Sequence, residues 1–339
     1  MSKRSSVGGQ AVIEGVMMRG SAGVATAVRK EDGEIEVKVE KIIPYTKRNK
    51  IFALPVIRGF VSLIDSLVVG IKTLNYSATF FEEEVEESSF DKWFKGTFKD
   101  RSNDVLIGFS LVISLIFSVL IFFILPTFAA NIFKRTNTVT GTVGLNIIEG
   151  IIRVAVFLIY VLLIGKMEEI NRVFQYHGAE HKTIFCYENE VELTPESAKG
   201  FGRLHPRCGT NFLFLVMIVS IILFSLTGWE SIWQRILYRV ILLPIVSGIT
   251  YELIKWMGKS SSFLSRTLAY PGLMLQKLTT REPDLQQLEV AIVALKKAEG
   301  IEETEIEQAQ EIEACSEMES VEEKLFCEEF KEDDESIEL

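Results

Sequence analysis

The sequence predicts a mainly α membrane protein: four transmembrane helices with interfacial helices, and a small N-terminal antiparallel β unit. Three observations carry this. Residues 105–133 run for 29 positions without a charge, and about 20 apolar residues suffice to cross a bilayer. Three more apolar segments follow, near 145–166, 208–229 and 236–257. Ahead of them all, residues 7–43 break at glycines into short apolar or alternating runs, as strands do.

Residues 1–50 read as a cytoplasmic β unit. Ala11-Val-Ile and Val16-Met-Met are short apolar runs, and Glu34-Ile-Glu-Val-Lys-Val-Glu40 alternates strictly after the turn signal Asp32-Gly33. Glycines 8, 9, 15 and 20 surround Glu14; they make turns or let backbone approach a ligand. Residues 51–100 read as an interfacial amphipathic helix and a linker. In 51–80, Arg58, Asp65 and Lys72 recur every seven positions in an otherwise apolar helix, and basic Lys47-Arg-Asn-Lys50 before it suits anionic headgroups.

Residues 101–258 form the four-span domain. Its second span contains Glu149 and Arg153, four apart and able to pair. Its fourth carries Arg239 and Glu252 near the ends, where long side chains can snorkel. The second span is expected to continue as helix through Tyr176, setting His177 roughly 16 Å beyond Lys166. The loop 166–210 holds Lys166, Arg172, Lys182, Lys199, Arg203 and Arg207, and more Lys and Arg follow the fourth span. The positive-inside rule then puts both termini and this loop in the cytoplasm of a multi-pass cell-membrane protein. Residues 259–298 read as interfacial and amphipathic helices. Pro283 opens the last one, whose Leu285, Leu288, Ile292 and Leu295 make an apolar stripe in need of a partner, either the β unit or the histidine loop.

Residues 299–339 read as a disordered acidic tail. The stretch 301–339 holds 17 Asp or Glu and two Lys, whereas the first 300 residues have a net charge of +5. The acidity belongs to the tail and argues against nucleic-acid binding. Cys186, Cys208, Cys315 and Cys327 show no disulfide framework. The N-terminus lacks the apolar region of a signal peptide.

All three histidines lie in the loop between the second and third spans, in His177-Gly-Ala-Glu180-His181 and Leu204-His205-Pro-Arg-Cys208. Positions i, i+3 and i+4 share a helix face. H-x-x-E-H is the inverted zincin order, in which two histidines bind zinc and the glutamate serves as base. His205 and Cys208 add donors at a zinc-compatible spacing. The candidate ligands of a divalent transition metal, zinc first, are therefore His177, His181, His205 and Cys208, with Glu180 the candidate catalytic base. Arg203 and Arg207 are candidate contacts for an anionic substrate group, or topology determinants beside a span. Gly178 weakens the helix this scheme requires, and a hydrogen-bonded polar cluster without metal is the competing reading.

The chain resembles the YqhQ-like family of bacterial membrane proteins, domain of unknown function 1385. The resemblance rests on Gly9-Gln-Ala-Val-Ile-Glu-Gly-Val-Met-Met-Arg19, Tyr176-His-Gly-Ala-Glu-His-Lys182, Leu204-His-Pro-Arg-Cys-Gly-Thr-Asn211 and the run from Pro271 to Pro283. It covers roughly residues 7–298. The resemblance implies the membrane architecture and the family's usual label of predicted metal-dependent enzyme. Two functions are expected: a metal-dependent hydrolase, or a non-catalytic scaffold docking a membrane or envelope protein, with the bilayer as the common partner.

Overall fold

The computed structural model describes residues 7–81, 102–136, 141–228, 231–260 and 262–301. Strands β1 (Gly8–Val12), β2 (Gly15–Arg19), β3 (Val24–Arg29) and β4 (Ile35–Glu40) form the expected antiparallel sheet, in the order β1-β2-β3-β4. Val12 registers against Gly15, so the first turn is only Ile13-Glu14. Glu14 has a φ of 48°, a conformation few residues other than glycine adopt. Its side chain explains the tolerance: the Arg172 guanidinium grips the carboxylate, and the Tyr176 hydroxyl donates to it at 3.3 Å.

The rest of the described chain is helical. The helices are α1 (Tyr45–Arg48), α2 (Ile57–Ala78), α3 (Ser102–Val119), α4 (Leu125–Arg135), α5 (Thr142–Ile164), α6 (Glu168–Glu188) and α7 (Pro195–Lys199). They continue as α8 (Gly209–Ser225), α9 (Ile232–Lys259), α10 (Phe263–Thr279) and α11 (Leu285–Glu299), and a π turn, Leu120–Ile124, joins α3 to α4. Among the described residues, three segments are long and apolar enough to cross a membrane: Gly108–Arg135, Thr142–Ile164 and Gln234–Lys259. The expected span at 208–229 is the 17-residue apolar helix α8, shorter than those three. It stops at Ser225, where the Thr227 hydroxyl turns back onto the Phe224 carbonyl and Asn146 of α5 donates to the Thr227 carbonyl.

The sheet is filled from both sides. Val16, Met18, Ala25 and Ala27 pack with Leu288, Ala291, Ile292 and Leu295 of α11, and with Tyr176 and Ala179 of α6. Leu288, Ile292 and Leu295 of the stripe on α11 thus meet both expected partners, whereas Leu285 stays exposed. Asp284 begins α11 with a capping box through Gln287, which satisfies backbone donors that a helix start leaves unpaired. On the opposite face, Met17 and Val24 pack on Val69 of α2.

Helix α2 turns two of its three charges, Arg58 and Asp65, toward partners and leaves Lys72 exposed. Buried Asp65 takes Arg19 of β2 at 3.1 Å, and Arg58 makes a two-pronged pair with Glu252 of α9. Leu67, Val68, Ile71 and Leu74 are left facing out. Arg239 departs from its expected snorkelling position. It is buried and pairs at 2.5 Å with Glu149 of α5, because that carboxylate offers a closer partner than water at the helix end.

The continuous helix expected from 145 to 176 is interrupted. Gly165 caps α5, Met167 is extended, and α6 restarts at Glu168 with Glu168 and Glu169 in its first turn, where acidic residues favour the positive end of the helix dipole. The break lets α6 leave the line of α5 and lie against the sheet and α11. The acidic tail beyond residue 301 and the linker at 82–101 fall outside the described residues.

The Arg19–Asp65 pair supplies a stability test. Arg19→Met leaves a buried carboxylate unpaired and should cost roughly 2–3 kcal/mol, given the partial exposure of Arg19. Arg19→Met with Asp65→Leu should recover most of that loss in the thermal melt. A double variant as unstable as the single one would refute the pairing.

Candidate metal centre

The site is built on one face of α6. Gly178 does not break the helix, which runs from Glu168 through Glu188. A Cβ at this position would lie 2.1 Å from the Arg281 carbonyl oxygen. Glycine is there because the segment leaving α10 presses directly on α6, where the Arg281 N–H donates to the Phe174 carbonyl at 2.8 Å. That contact sets the end of α10 beside His177.

Two backbone carbonyls orient the two rings. His177 Nδ1 lies 2.9 Å from the Thr279 carbonyl and His181 Nδ1 lies 2.5 Å from that of Arg203. A carbonyl can only accept, so each Nδ1 carries the proton and each Nε2 keeps its lone pair. The His177 Nε2 is 3.2 Å from Cys208 Sγ. The His181 Nε2 is buried and has no hydrogen-bond partner among the described residues. One ligand atom each from His177, His181 and Cys208 lie within 4.8 Å of one another. Carbonyl-tethered imidazoles of this kind are the usual outer support of metal-binding histidines. Cys208 is the N-cap of α8, and the Thr210 N–H and hydroxyl both point at its sulfur, at 3.5 and 3.3 Å. This donor set, with a buried unpartnered imidazole nitrogen, fits a borderline-soft ion such as zinc.

The remaining candidates stand around this trio. His205 is buried beside His181, ring centroids 5.7 Å apart, and against Phe185 at 4.6 Å. Its Nδ1 already accepts the Arg207 N–H at 3.3 Å, which turns Nε2–H toward Glu188. Neither ring nitrogen offers a lone pair to the three donors. Burial, then the neighbouring His181 and Arg207, lower its pKa to about 4 against the pull of Glu188, so it is neutral at pH 7. Arg203 reaches the Thr280 carbonyl at 3.3 Å, and Arg207 is engaged by Glu188. Arg207, Glu188 and His205 border a cavity of about 480 Å³ between α6, α9 and α10, continuing along Met257, Arg266 and Tyr270.

Glu180 faces the sheet. It is buried against Gly9 of β1, where an added Cβ would stand 2.9 Å from the carboxylate carbon. The Gly9 N–H donates to it, and its Oε2 is buried without a partner. Burial raises its pKa to about 7, opposed by His177 and by the Gly9 N–H. It lies outside the three-donor group.

Residues 54–300 match a family described as a protein of unknown function, DUF1385. The chain is also 35% identical, over 291 residues, to the uncharacterized protein YqhQ of Bacillus subtilis (strain 168), covering 84% of this chain and 89% of that protein. The chain belongs to the DUF1385 family. No solved structure matches it. The DUF1385 match runs from the turn before α2 to the end of α11, so it contains all the histidines and Cys208.

Several residues that support this site are not marked out by residue type or spacing in the sequence. Gln276 of α10 is wholly buried, and its amide both donates to and accepts from the His205 backbone at 2.8 Å. Lys182 is buried and its ammonium is fully used, by the Lys199 and Phe201 carbonyls and by Glu282. Glu188 holds Arg207 from the last turn of α6. Each is a long polar side chain on an amphipathic helix, indistinguishable in sequence from a solvated one.

The raised pKa of Glu180 has a measurable consequence. A carboxyl favoured in its neutral form contributes stability below pH 4.5 that is lost as pH rises through about 7. In protein held metal-free by a chelator, Glu180→Gln should therefore melt above wild type at pH 8, by an amount on the order of 2 kcal/mol. The difference should shrink toward pH 5. Parallel melting curves for the two proteins from pH 5 to 8 would contradict the burial of this group.

Proposed function

We propose that this protein is a multi-pass membrane protein that binds one divalent transition metal, zinc first, through His177, His181 and Cys208. The observation that carries the reading is the convergence of three donor atoms, two of them imidazole nitrogens whose partner nitrogens are tied to carbonyls. Three protein donors are the number found in catalytic zinc sites, which keep one position for water or substrate. A bound ion there would act as a Lewis acid in hydrolysis. Glu180, beside His181 on α6, is the base in this reading. Arg207, on the wall of the 480 Å³ cavity, is the contact for an anionic part of the substrate.

A second reading is favoured by the direction of Glu180. Its carboxylate takes the Gly9 N–H and packs on β1. In that case the ion only fastens α6 to the start of α8, and the protein is a scaffold that docks another membrane or envelope protein.

The membrane part of the proposal is supported by reversed polarity. Glu149, Arg153, Arg239 and Asp65 are buried, whereas Leu115, Phe117, Phe128, Ile151, Leu163, Leu237 and Val240 are exposed. Shielding such a surface from water is favourable by roughly 25 cal/mol per Å². We read four spans, α8 being the short one, with both termini cytoplasmic and the metal on the cytoplasmic side. Reporters inserted at 136–142 should be external and those at 185–200 internal; a cytoplasmic signal from 136–142 would sink this topology.

Elemental analysis of purified protein should find one transition-metal ion per chain. His177→Ala, His181→Ala and Cys208→Ala should each lose it, whereas His205→Gln should keep it, because His205 uses both nitrogens elsewhere. Metal retained by Cys208→Ala would overturn the ligand set. Glu180→Gln separates the two functions in a complementation assay. Metal kept and function lost supports catalysis; metal and function both kept supports the scaffold.

A further inference from the structure

A second cluster of charge lies deep in the helical bundle, at the far end of α5 from α6. Arg153 of α5 and Arg239 of α9 both reach one oxygen of Glu149, at 2.8 and 2.5 Å. Thr127 of α4 donates to the same oxygen at 2.8 Å and accepts from Arg239 at 3.0 Å. The second guanidinium edge of Arg153 donates to the Phe122 carbonyl at 3.0 Å. Phe122 lies in the π turn, a distortion that recurs at functional sites. The side chains of Glu149, Arg239 and Arg153 are only 1%, 7% and 11% exposed.

The charges in this trio do not balance. Two guanidiniums share one carboxylate, so among the described residues the group carries an excess positive charge in an apolar interior. Arginine does not shed its proton to relieve this, and an uncompensated buried charge is costly. Space for a counter-charge exists on both sides. A cavity of about 270 Å³ is bordered by Arg153 and Arg239 and walled by Phe157, Phe224, Met217 and Leu243. A second, of about 260 Å³, is bordered by Thr127, Arg239 and Arg235 and walled by Leu115 and Val240. Glu149 and Arg239 each lie about 10 Å along their helices from the helix starts. Around an arginine inside a membrane the bilayer thins locally, which brings headgroups toward the side chain.

We infer that Arg153 and Arg239 form an anion site that takes one phosphate group, and that the apolar cavities beside it receive the hydrocarbon of an anionic lipid. The setting rests on the membrane reading above; the charge imbalance and the cavities do not. A lipid headgroup and free inorganic phosphate share the chemistry the arginines recognise, and the test separates them.

Full-length protein in a neutral detergent is melted with added phosphatidylglycerol, phosphatidylcholine or inorganic phosphate. Phosphatidylglycerol should raise the melting temperature by about 5 °C at saturating concentration, and phosphatidylcholine should not. A shift with inorganic phosphate as well would identify a free anion as a sufficient ligand. Arg239→Gln leaves a neutral Arg153–Glu149 pair, so it should fold and lose the shift. Arg153→Gln should lose it too, and Glu149→Gln, if it folds, should show a larger one. No shift with either anion in wild type, or a full shift in both arginine variants, would overturn the site. Wild-type protein extracted without detergent would instead overturn the membrane reading, with the phosphate arm still deciding the anion site.

Discussion

Backbone carbonyls left unpaired at the ends of secondary structure decide which way the histidine rings face. The last carbonyls of a helix have no partner within it. Thr279 ends α10, and its carbonyl takes the proton of His177 Nδ1. Arg203 lies in the irregular stretch after α7, and its carbonyl does the same for His181. Both rings are thereby held in one tautomer, with their basic nitrogens turned to Cys208. The same logic removes His205, whose Nδ1 is taken by the Arg207 N–H. What assembles the trio is the packing of the segment that leaves α10, through Arg281 and Pro283, against α6, and Gly178 is the residue that admits it.

Helix α6 joins the site to the sheet. Arg172 and Tyr176 hold the strained Glu14 turn, Glu180 meets Gly9, and the far side of the helix packs on α11. Helix α2 makes the other connection, tying β2 to α9 through Asp65 and Arg58. Displacing the sheet would therefore disturb both the face that carries the histidines and the helix next to the deep arginines. A small sheet is stable only when it has three or more strands with an apolar face to bury, or a helix packed against it. Here helices cover both of its faces.

The charged residues of the helical bundle follow one rule. Each described carboxylate inside it has an arginine partner, and each partner comes from another element or from one turn away on the same helix. Paired charges hold helices in register where apolar side chains do not discriminate between alternatives. The exception to neutrality is the trio at Glu149, where one carboxylate serves two arginines.

The sequence by itself determined the strands, the Asp32-Gly33 turn, the apolar helices and the amphipathic helix at 285–299, though not that Asp284 caps it and leaves Pro283 outside. These depend on local period and turn chemistry, which are short-range properties of the chain. It also determined that His177, Glu180 and His181 occupy one stretch of helix and that Cys208 opens the next apolar one. Only the tertiary structure decided that Cys208 joins the two imidazoles, that His205 and Glu180 stand apart, and that α6 begins anew at Glu168. It alone turned Arg239 inward to Glu149. Spacing along a helix assigns a residue to a face, but the partners across that face lie from 22 to 102 positions away in the chain. Which nitrogen is free, and which charge is shared, is set by those distant carbonyls and carboxylates.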